Sequence, residues 1–110
     1  MKKTSLLQGL IPARARRVVV YLKPINMRWG PAKLREFCGE TLAMVPDAST
    51  VFLFANKNQD CLLMYFADEA GDQTLMKKLD KGAFLLPAPE RDGAAFVIMK
   101  PSILPRLFRS

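Results

Sequence analysis

The sequence has no histidine and only two cysteines, Cys38 and Cys61, among its 110 residues. Protein zinc sites are built mainly from these two residue types and take three or four protein ligands. Both cysteines lie at apolar positions of predicted elements, where reduced cysteines commonly pack. The composition therefore argues against a zinc centre and against a disulfide framework, and we expect neither a metal nor a cofactor.

Long apolar runs are also missing, since none approaches the roughly 20 residues that a membrane-spanning helix needs. The first fifteen residues resemble a secretory leader, but Pro12 interrupts their apolar stretch and Arg16 and Arg17 follow at once. We therefore expect a cytoplasmic protein, associated with the nucleoid if it binds DNA, and no membrane partner.

Half of the residues are apolar, which is enough for the core of one compact domain. Residues 1–13 show no sustained periodicity and contain Gly9 and Pro12, so we predict a mobile N-terminal arm there. Residues 14–110 are predicted to form a single α+β domain.

Recognisable catalytic groups are absent. The glycines of the chain stand alone, so no phosphate-binding loop is present, and the ten acidic residues show no catalytic spacing. A two-metal nuclease site could in principle include Asp60 and Asp68, at the two ends of one predicted strand. Eight residues of strand span roughly 26 Å, far more than such a site allows. We predict that the protein is not an enzyme.

Acidic residues are missing from positions 1–35, which hold nine Lys or Arg and therefore carry a charge of +9. Positions 36–110 hold eight basic and ten acidic residues, a charge of −2. Segregated charge makes a local positive field that attracts polyanions. The alternative is a solvated basic segment without a partner.

The apolar pattern predicts α+β elements. Residues 18–22 indicate a central strand that Pro24 ends, and residues 26–30 form a corner before an amphipathic helix with Pro31 at its start. Asn26 is the candidate cap of this helix. Its apolar face follows helical spacing through Leu34, Phe37, Cys38, Thr41 and Leu42.

The remaining elements are strands and one short helix. Residues 51–54 and 61–67 predict an antiparallel hairpin, and residues 73–79 fit a strand better than a helix. A short apolar stretch at 83–86, a last strand at 95–99 and a short helix after Ser102 complete the chain. The predicted fold is an antiparallel β-meander of four or five strands after the first, with one amphipathic helix after the first strand and a short C-terminal helix.

Nucleic-acid binding has the best ingredients, because arginines pair with phosphates and lie beside an aromatic residue. Trp29 has two interpretations, a lid over the helix end or a ring that stacks on a base. The later lysines also have two, DNA contact or protection of strand edges from pairing. The candidate residues are Arg14, Arg16, Arg17, Arg28, Trp29, Lys33, Arg35, Lys57, Lys77, Lys78 and Lys81. No helix-turn-helix or zinc-finger pattern accompanies them, so we expect non-specific DNA binding.

A family resemblance rests on motifs in a fixed order over residues 18–87. The motifs are Val20-Tyr21-Leu22, the corner Asn26-Met27-Arg28-x-Gly30, Phe52 and Phe54, Asp60, Asp68, the run Lys77-Lys78-Leu79-Asp80-Lys81-Gly82-Ala83-Phe84, and Pro87. They resemble the TnpB-like accessory protein encoded by the second reading frame of insertion sequence 66 family elements. The resemblance implies an auxiliary, non-catalytic role in transposition beside a separate transposase. Its partners would be DNA and the transposase or other accessory proteins of the same element.

The chain also departs from the family pattern. The family usually has Asp at the position of Asn26, Trp at that of Ala67 and often Lys at that of Leu63, with a more arginine-rich first hairpin. If that hairpin is the family's nucleic-acid face, it is weakened here, and the basic N-terminal residues would compensate. The alternative function is a protein-interaction module that docks on the transposase without touching DNA.

Overall fold

The structure is a computed structural model, and it describes residues 14–108. The arm predicted at residues 1–13 lies outside the described residues and stays a prediction. Five strands and two helices follow one another as β1 (Arg17–Pro24), α1 (Pro31–Glu40), β2 (Thr50–Ala55), β3 (Cys61–Asp68), β4 (Gly71–Lys78), β5 (Phe96–Met99) and α2 (Ile103–Phe108). Neither helix of this part of the chain is long and apolar enough to cross a membrane.

The five strands form one mixed sheet in the order β4-β3-β2-β1-β5. The predicted hairpin is confirmed, because β2 and β3 pair antiparallel, and residues 71–78 form a strand as expected. The prediction of a wholly antiparallel meander is wrong, since β1 and β2 run parallel, with Arg17 opposite Thr50 and Val20 opposite Leu53. The connection between them contains α1, and a helical crossover of this kind returns the chain to the end from which β1 started.

Side chains of alternate residues form two cores on opposite faces of the sheet. On one face Val19, Phe52 and Tyr65 pack with Leu34 and Cys38 of α1. On the other face the sheet packs against α2 and the segment before β5, through Val20, Leu53, Met64, Phe84, Leu104 and Leu107. Every residue of β2 is buried as a result. A strand covered on both faces is expected to be continuously apolar, as residues 51–55 are.

The prediction that Asn26 caps α1 is wrong. Gly30 occupies the N-cap position, and no side chain caps the helix. Asn26 instead closes the preceding corner, because its Oδ1 accepts a hydrogen bond from the Arg28 N–H at 2.8 Å and its carbonyl accepts one from the Trp29 N–H at 3.1 Å. The polar side chain therefore shapes the corner and leaves the helix end open.

Residues 79–95 contain no strand. The apolar stretch at 83–86 contributes a single buried side chain, Phe84, to the α2 side of the core. A backbone hydrogen bond from the Phe84 N–H to the Gln59 carbonyl, 2.7 Å long, fixes this segment to the turn between β2 and β3.

Candidate nucleic-acid interface

The strand register brings several basic segments to one end of the sheet. Pro24 at the end of β1 is opposite Ala55 at the end of β2, and Cys61 at the start of β3 is opposite Lys78 at the end of β4. The corner, the β2–β3 turn and the segment after β4 therefore all leave the sheet at this end. We call it the basic end, and its cations are Lys23, Arg28, Lys57, Lys78 and Lys81.

Backbone hydrogen bonds tie these segments together. The Ile25 N–H donates to the Ala55 carbonyl at 3.0 Å, which attaches the corner to the end of β2. The Leu79 N–H donates to the Asp60 carbonyl at 2.7 Å, which attaches the segment after β4 to the β2–β3 turn. The basic end is thus a continuous structure built from three parts of the chain.

Asn56 organises the β2–β3 turn. Its Oδ1 accepts hydrogen bonds from the N–H groups of Asp60 and Cys61, each 3.1 Å long, and its Nδ2 donates to the Asp60 carboxylate at 2.6 Å. This last bond, with the charge of Lys78 as a smaller contribution, holds the pKa of Asp60 below its usual value. Lys57 is exposed on this fixed turn, and no ion pair joins its side chain to another described residue. Nothing in the sequence pattern pointed to this role of Asn56.

Arg28 is exposed at the corner, where Asn26 holds its backbone. Its guanidinium makes no hydrogen bond or ion pair within residues 14–108. The adjacent start of α1 has no side-chain cap and no acidic residue in its first turn. Helix N-termini present unpaired N–H groups and a partial positive charge, so the helix adds to the positive field around Arg28.

Trp29 packs as part of the α1 side of the core. Its ring lies 5.2 Å from that of Phe37 at an interplanar angle of 49°, and the side chain is half-buried. The Lys33 ammonium lies 5.4 Å from the Trp29 ring centroid and 3.1 Å from the Glu36 carboxylate. This geometry is that of a lid over the start of α1, the first of the two interpretations of this residue.

Lysines around β4 differ in their surroundings. Lys78 lies 3.6 Å from the Asp60 carboxylate as an exposed ion pair, a type of contact that contributes little to stability. Lys77 is half-buried on β4 and takes part in further contacts. Lys81 is exposed, and its ammonium has no side-chain partner in the described part of the chain.

The first arginines lie at the opposite end of the sheet, where β1 begins. Arg17 donates from Nε to the hydroxyl of Thr50 at 2.8 Å, and Thr50 is buried. Arg14 lies 3.6 Å from the exposed Glu69 carboxylate, whereas Arg16 is exposed with no side-chain partner among the described residues. The structure therefore separates these three residues from Arg28 and the lysines.

This opposite end also carries acidic residues. The loop before β2 holds Asp47, whose pKa is lowered chiefly by hydrogen bonds from Ser49, with a smaller contribution from the charge of Arg17. The β3–β4 turn is closed by Asp68, whose Oδ1 accepts hydrogen bonds from the N–H groups of Ala70 and Gly71. The surplus of positive charge that the sequence predicts for residues 1–35 is thus partly matched by acidic residues in the fold.

Arg35 of α1 forms an ion pair with Asp72 of β4. Its Nη2 lies 2.7 Å from Oδ1 of Asp72, and the buried Tyr65 hydroxyl donates to the same oxygen at 3.1 Å. The hydrogen bond from Arg35 is the main cause that holds the pKa of Asp72 below its usual value, and burial is the main cause that raises the pKa of Tyr65. Arg35 thereby joins the helix to the outer strand of the sheet. No local sequence signal links residues 35 and 72, so this pair could not be foreseen.

The acids considered for a nuclease site lie far apart. Asp60 precedes β3 and Asp68 ends it, so the whole strand separates them. Among the residues that the structure describes, no group of three or more acidic or cysteine side chains is placed to hold a metal ion.

Comparisons with known proteins identify similar sequences. A family model described as IS66 Orf2 like protein matches residues 16–107, from the start of β1 into α2. The uncharacterized protein y4jC of Sinorhizobium fredii (strain NBRC 101917 / NGR234) is 32% identical over 83 residues, which cover 76% of this chain and 70% of that protein. No solved structure gives a significant match.

Proposed function

The chain belongs to the IS66 Orf2-like family, which connects it with insertion-sequence transposition, and we propose that it assists this process by binding DNA phosphates through its basic end. One observation carries the proposal. Arg28, Lys57 and Lys81 come from three segments that meet at the basic end, and none of them has an ion-pair partner among the described residues. Cations without a carboxylate partner exchange counterions for phosphates most readily, and an exposed ion pair such as that of Lys78 is weak enough to open.

The chemistry of this end suits a phosphate backbone. Arg28 offers a planar guanidinium that can pair with two phosphate oxygens, while lysines act as point charges. The open N-terminus of α1 adds N–H donors beside Arg28. Contacts of this kind carry no base information, so the binding we propose is non-specific and non-catalytic.

The other candidate residues fit this proposal unequally. Arg17 and Arg35 are held by Thr50 and Asp72, and Lys33 is shared between Glu36 and Trp29. Arg14 and Arg16 lie beyond the far end of β1, roughly 25 Å away by the length of the strand. They therefore lie outside the basic end and are not among the phosphate contacts of this proposal.

A salt titration of duplex binding tests the proposal. If Arg28, Lys57, Lys78 and Lys81 each neutralise one phosphate, log affinity should fall with log salt with a slope of about −3 to −4. Fluorescence anisotropy of a labelled duplex measures this slope. Replacing Arg28, Lys57 and Lys81 by alanine together should bring it to about −1, because one phosphate contact remains.

The matched control removes the same charge from the other end of the sheet, by replacing Arg14, Arg16 and Lys100 with alanine. We expect the control to keep the wild-type slope. A wild-type slope near zero would contradict DNA binding altogether. An equal loss of slope in both triple variants would show that binding follows net charge and would refute the basic end as the site.

A second candidate function is docking on the transposase without direct DNA contact. Leu85 favours it, because this residue is 90% exposed beside an apolar groove lined by Leu79, Phe84 and Leu107. Large apolar side chains in such positions often mark protein-binding sites. Co-purification with the transposase that survives nuclease treatment and is lost in Leu85→Lys would support this candidate.

A further inference from the structure

The two outer strands of the sheet differ in how they are protected. β4 has eight residues, and Asp72, Lys77 and Lys78 place charges along it. β5 has four residues, Phe96 to Met99, and none of them is charged. Charged residues on an outer strand prevent it from pairing with another chain. The β5 edge lacks this protection.

Hydrogen-bond alternation shows which backbone groups of β5 are free. The Leu22 N–H donates to the Ala95 carbonyl at 2.8 Å, so Ala95 faces β1. In an antiparallel pair, successive residues direct their backbone N–H and C=O groups alternately towards the neighbouring strand and away from it. Val97 and Met99 therefore also bond to β1, whereas Phe96 and Ile98 direct their N–H and C=O groups outwards. Within residues 14–108 no backbone group bonds to this outer edge of Phe96 or Ile98.

We propose that two copies of the chain pair through this edge, as antiparallel β5 strands related by a two-fold axis at Val97. In this register Phe96 of each copy is opposite Ile98 of the other, and the four outward groups of each copy meet four complementary groups. The two sheets then form one continuous sheet of ten strands. A two-fold interface requires a surface that complements itself, and this edge meets the requirement.

The side chains support the same register. Phe96 is opposite Tyr21 and Ile98 is opposite Val19 in the pairing with β1, so both lie on the α1 side of the sheet. Ile98 is 45% exposed and Phe96 is half-buried. Pairing brings each Ile98 against the partner copy's aromatic ring, since directly opposed Cβ atoms lie about 4.5–5.5 Å apart. The exposed apolar surface of both copies is covered together.

The charges near the edge also favour a second copy. A groove along β5 is lined by Glu90 and Arg91 beside residues 94–98, at the Phe96 end of the strand. Lys100 follows the other end of β5. The antiparallel register sets Lys100 of one copy opposite Ala94 of the other, near that copy's Glu90. The groove itself carries one charge of each sign, so two copies bring no surplus of like charge together.

Sedimentation equilibrium of the full chain tests the pairing. An interface this short should be weak, so the apparent mass should rise from 12.4 kDa towards twice that value as protein approaches roughly 0.5 mM. A wild-type protein that stays monomeric at that concentration overturns the proposal, even if the transposase binds the same edge. The measurement needs no DNA, so its failure is distinct from a failure of DNA binding.

Two lysine substitutions provide the matched comparison. Ile98→Lys places a charge on the β5 edge and should raise the dissociation constant at least tenfold. Met76→Lys makes the equivalent change on β4, where Met76 is 48% exposed on the same face of the sheet. Met76→Lys should leave the dissociation constant unchanged. An equal effect of both substitutions, with both variants folded by circular dichroism, overturns the proposal.

A cross-link tests the register independently of any loss of folding. Val97 is opposite its own counterpart across the two-fold axis, in a position without backbone hydrogen bonds between the two β5 strands. Val97→Cys should therefore form a disulfide-linked dimer under oxidising conditions, whereas Met76→Cys should remain monomeric. Equal yields of dimer from the two cysteine variants, or no dimer from Val97→Cys, overturn the register.

Discussion

Replacing Tyr65 by phenylalanine tests the network that joins α1 to β4. The Tyr65 side chain is fully buried, and its hydroxyl donates to the Asp72 oxygen that also bonds to Arg35. A hydrogen bond to a charged group contributes about 1.5 to 3 kcal/mol. The Asp72 side chain is 20% exposed, so water can partly replace the lost donor. We therefore expect Tyr65→Phe to lower the free energy of unfolding by about 1 to 2 kcal/mol at pH 7.

The loss of unfolding free energy caused by Tyr65→Phe should depend on pH. The pKa of Asp72 is lowered in the folded protein, chiefly by the hydrogen bond from Arg35. A carboxyl group of this kind stabilises the fold above its unfolded pKa near 4, and this stability is lost as pH falls through the folded pKa. The Tyr65 hydroxyl donates to a carboxylate above that range and to a neutral carboxyl group below it. The difference between wild type and Tyr65→Phe should therefore be constant from pH 7 to about 5 and shrink below about 4.

Urea unfolding measures the effect. If the free energy of unfolding falls by about 1.5 kcal/mol per molar urea, the midpoint of the Tyr65→Phe unfolding transition should lie about 1 M below that of the wild type at pH 7. Tyr21→Phe is the matched control, because Tyr21 is 8% exposed and its hydroxyl has no partner among the described residues. In that part of the chain no buried side-chain polar atom lacks a partner, so this hydroxyl reaches solvent. Tyr21→Phe should cost less than about 0.5 kcal/mol. Equal costs for the two substitutions, or a Tyr65→Phe cost that does not change with pH, would refute the network.

Two further predictions concern the cores. Leu104→Ala, at a fully buried position of α2, should lower the free energy of unfolding by about 2 to 5 kcal/mol. The exposed Leu85→Ala should change it by less than about 0.5 kcal/mol. Thermal unfolding compares the two variants, and similar melting temperatures would contradict the packing of α2. Burial raises the pKa of Cys38 to about 12, so a thiol reagent at pH 8 should modify Cys38 only after unfolding. The absorbance of the released reagent group, followed with and without urea, measures this. Modification of Cys38 in the native protein at the rate of free cysteine would contradict its burial.

Local patterns were enough to predict several elements from the sequence. The β2–β3 hairpin and the last strand follow from runs of apolar and β-branched residues bounded by turns. At residues 73–79 both periods fit, and the short distance between glycine-containing turns correctly favoured a strand. Asn26 failed as a predicted helix cap because an Asn side chain can bond equally well to the backbone two residues later. Local sequence does not distinguish these two uses.

Long-range ion pairs could not be predicted by the same means. The basic first third of the chain suggested one positive surface, but a charge in sequence has no position until the strands are paired. Arg14 and Arg17 lie at an end that also holds Asp47 and Glu69, and Arg35 lies against Asp72. The positive surface that remains is built mostly from later lysines. The charge of each segment therefore indicates a basic protein but not the position of its basic face.

The parallel pairing of β1 and β2 decides where the candidate site lies. If β1 had paired antiparallel with β2, the corner after β1 would lie beside the start of β2, and Arg28 and Lys57 would be separated by the length of the sheet. Parallel pairing brings the ends of both strands together, so Arg28 and Lys57 share one end. The sequence did contain a signal for it, because an amphipathic helix between two strands is typical of a crossover connection. Because the sequence predicted antiparallel pairing, the corner and the hairpin lysine were expected to form separate groups. The parallel pairing of β1 and β2 brings them to the same end of the sheet.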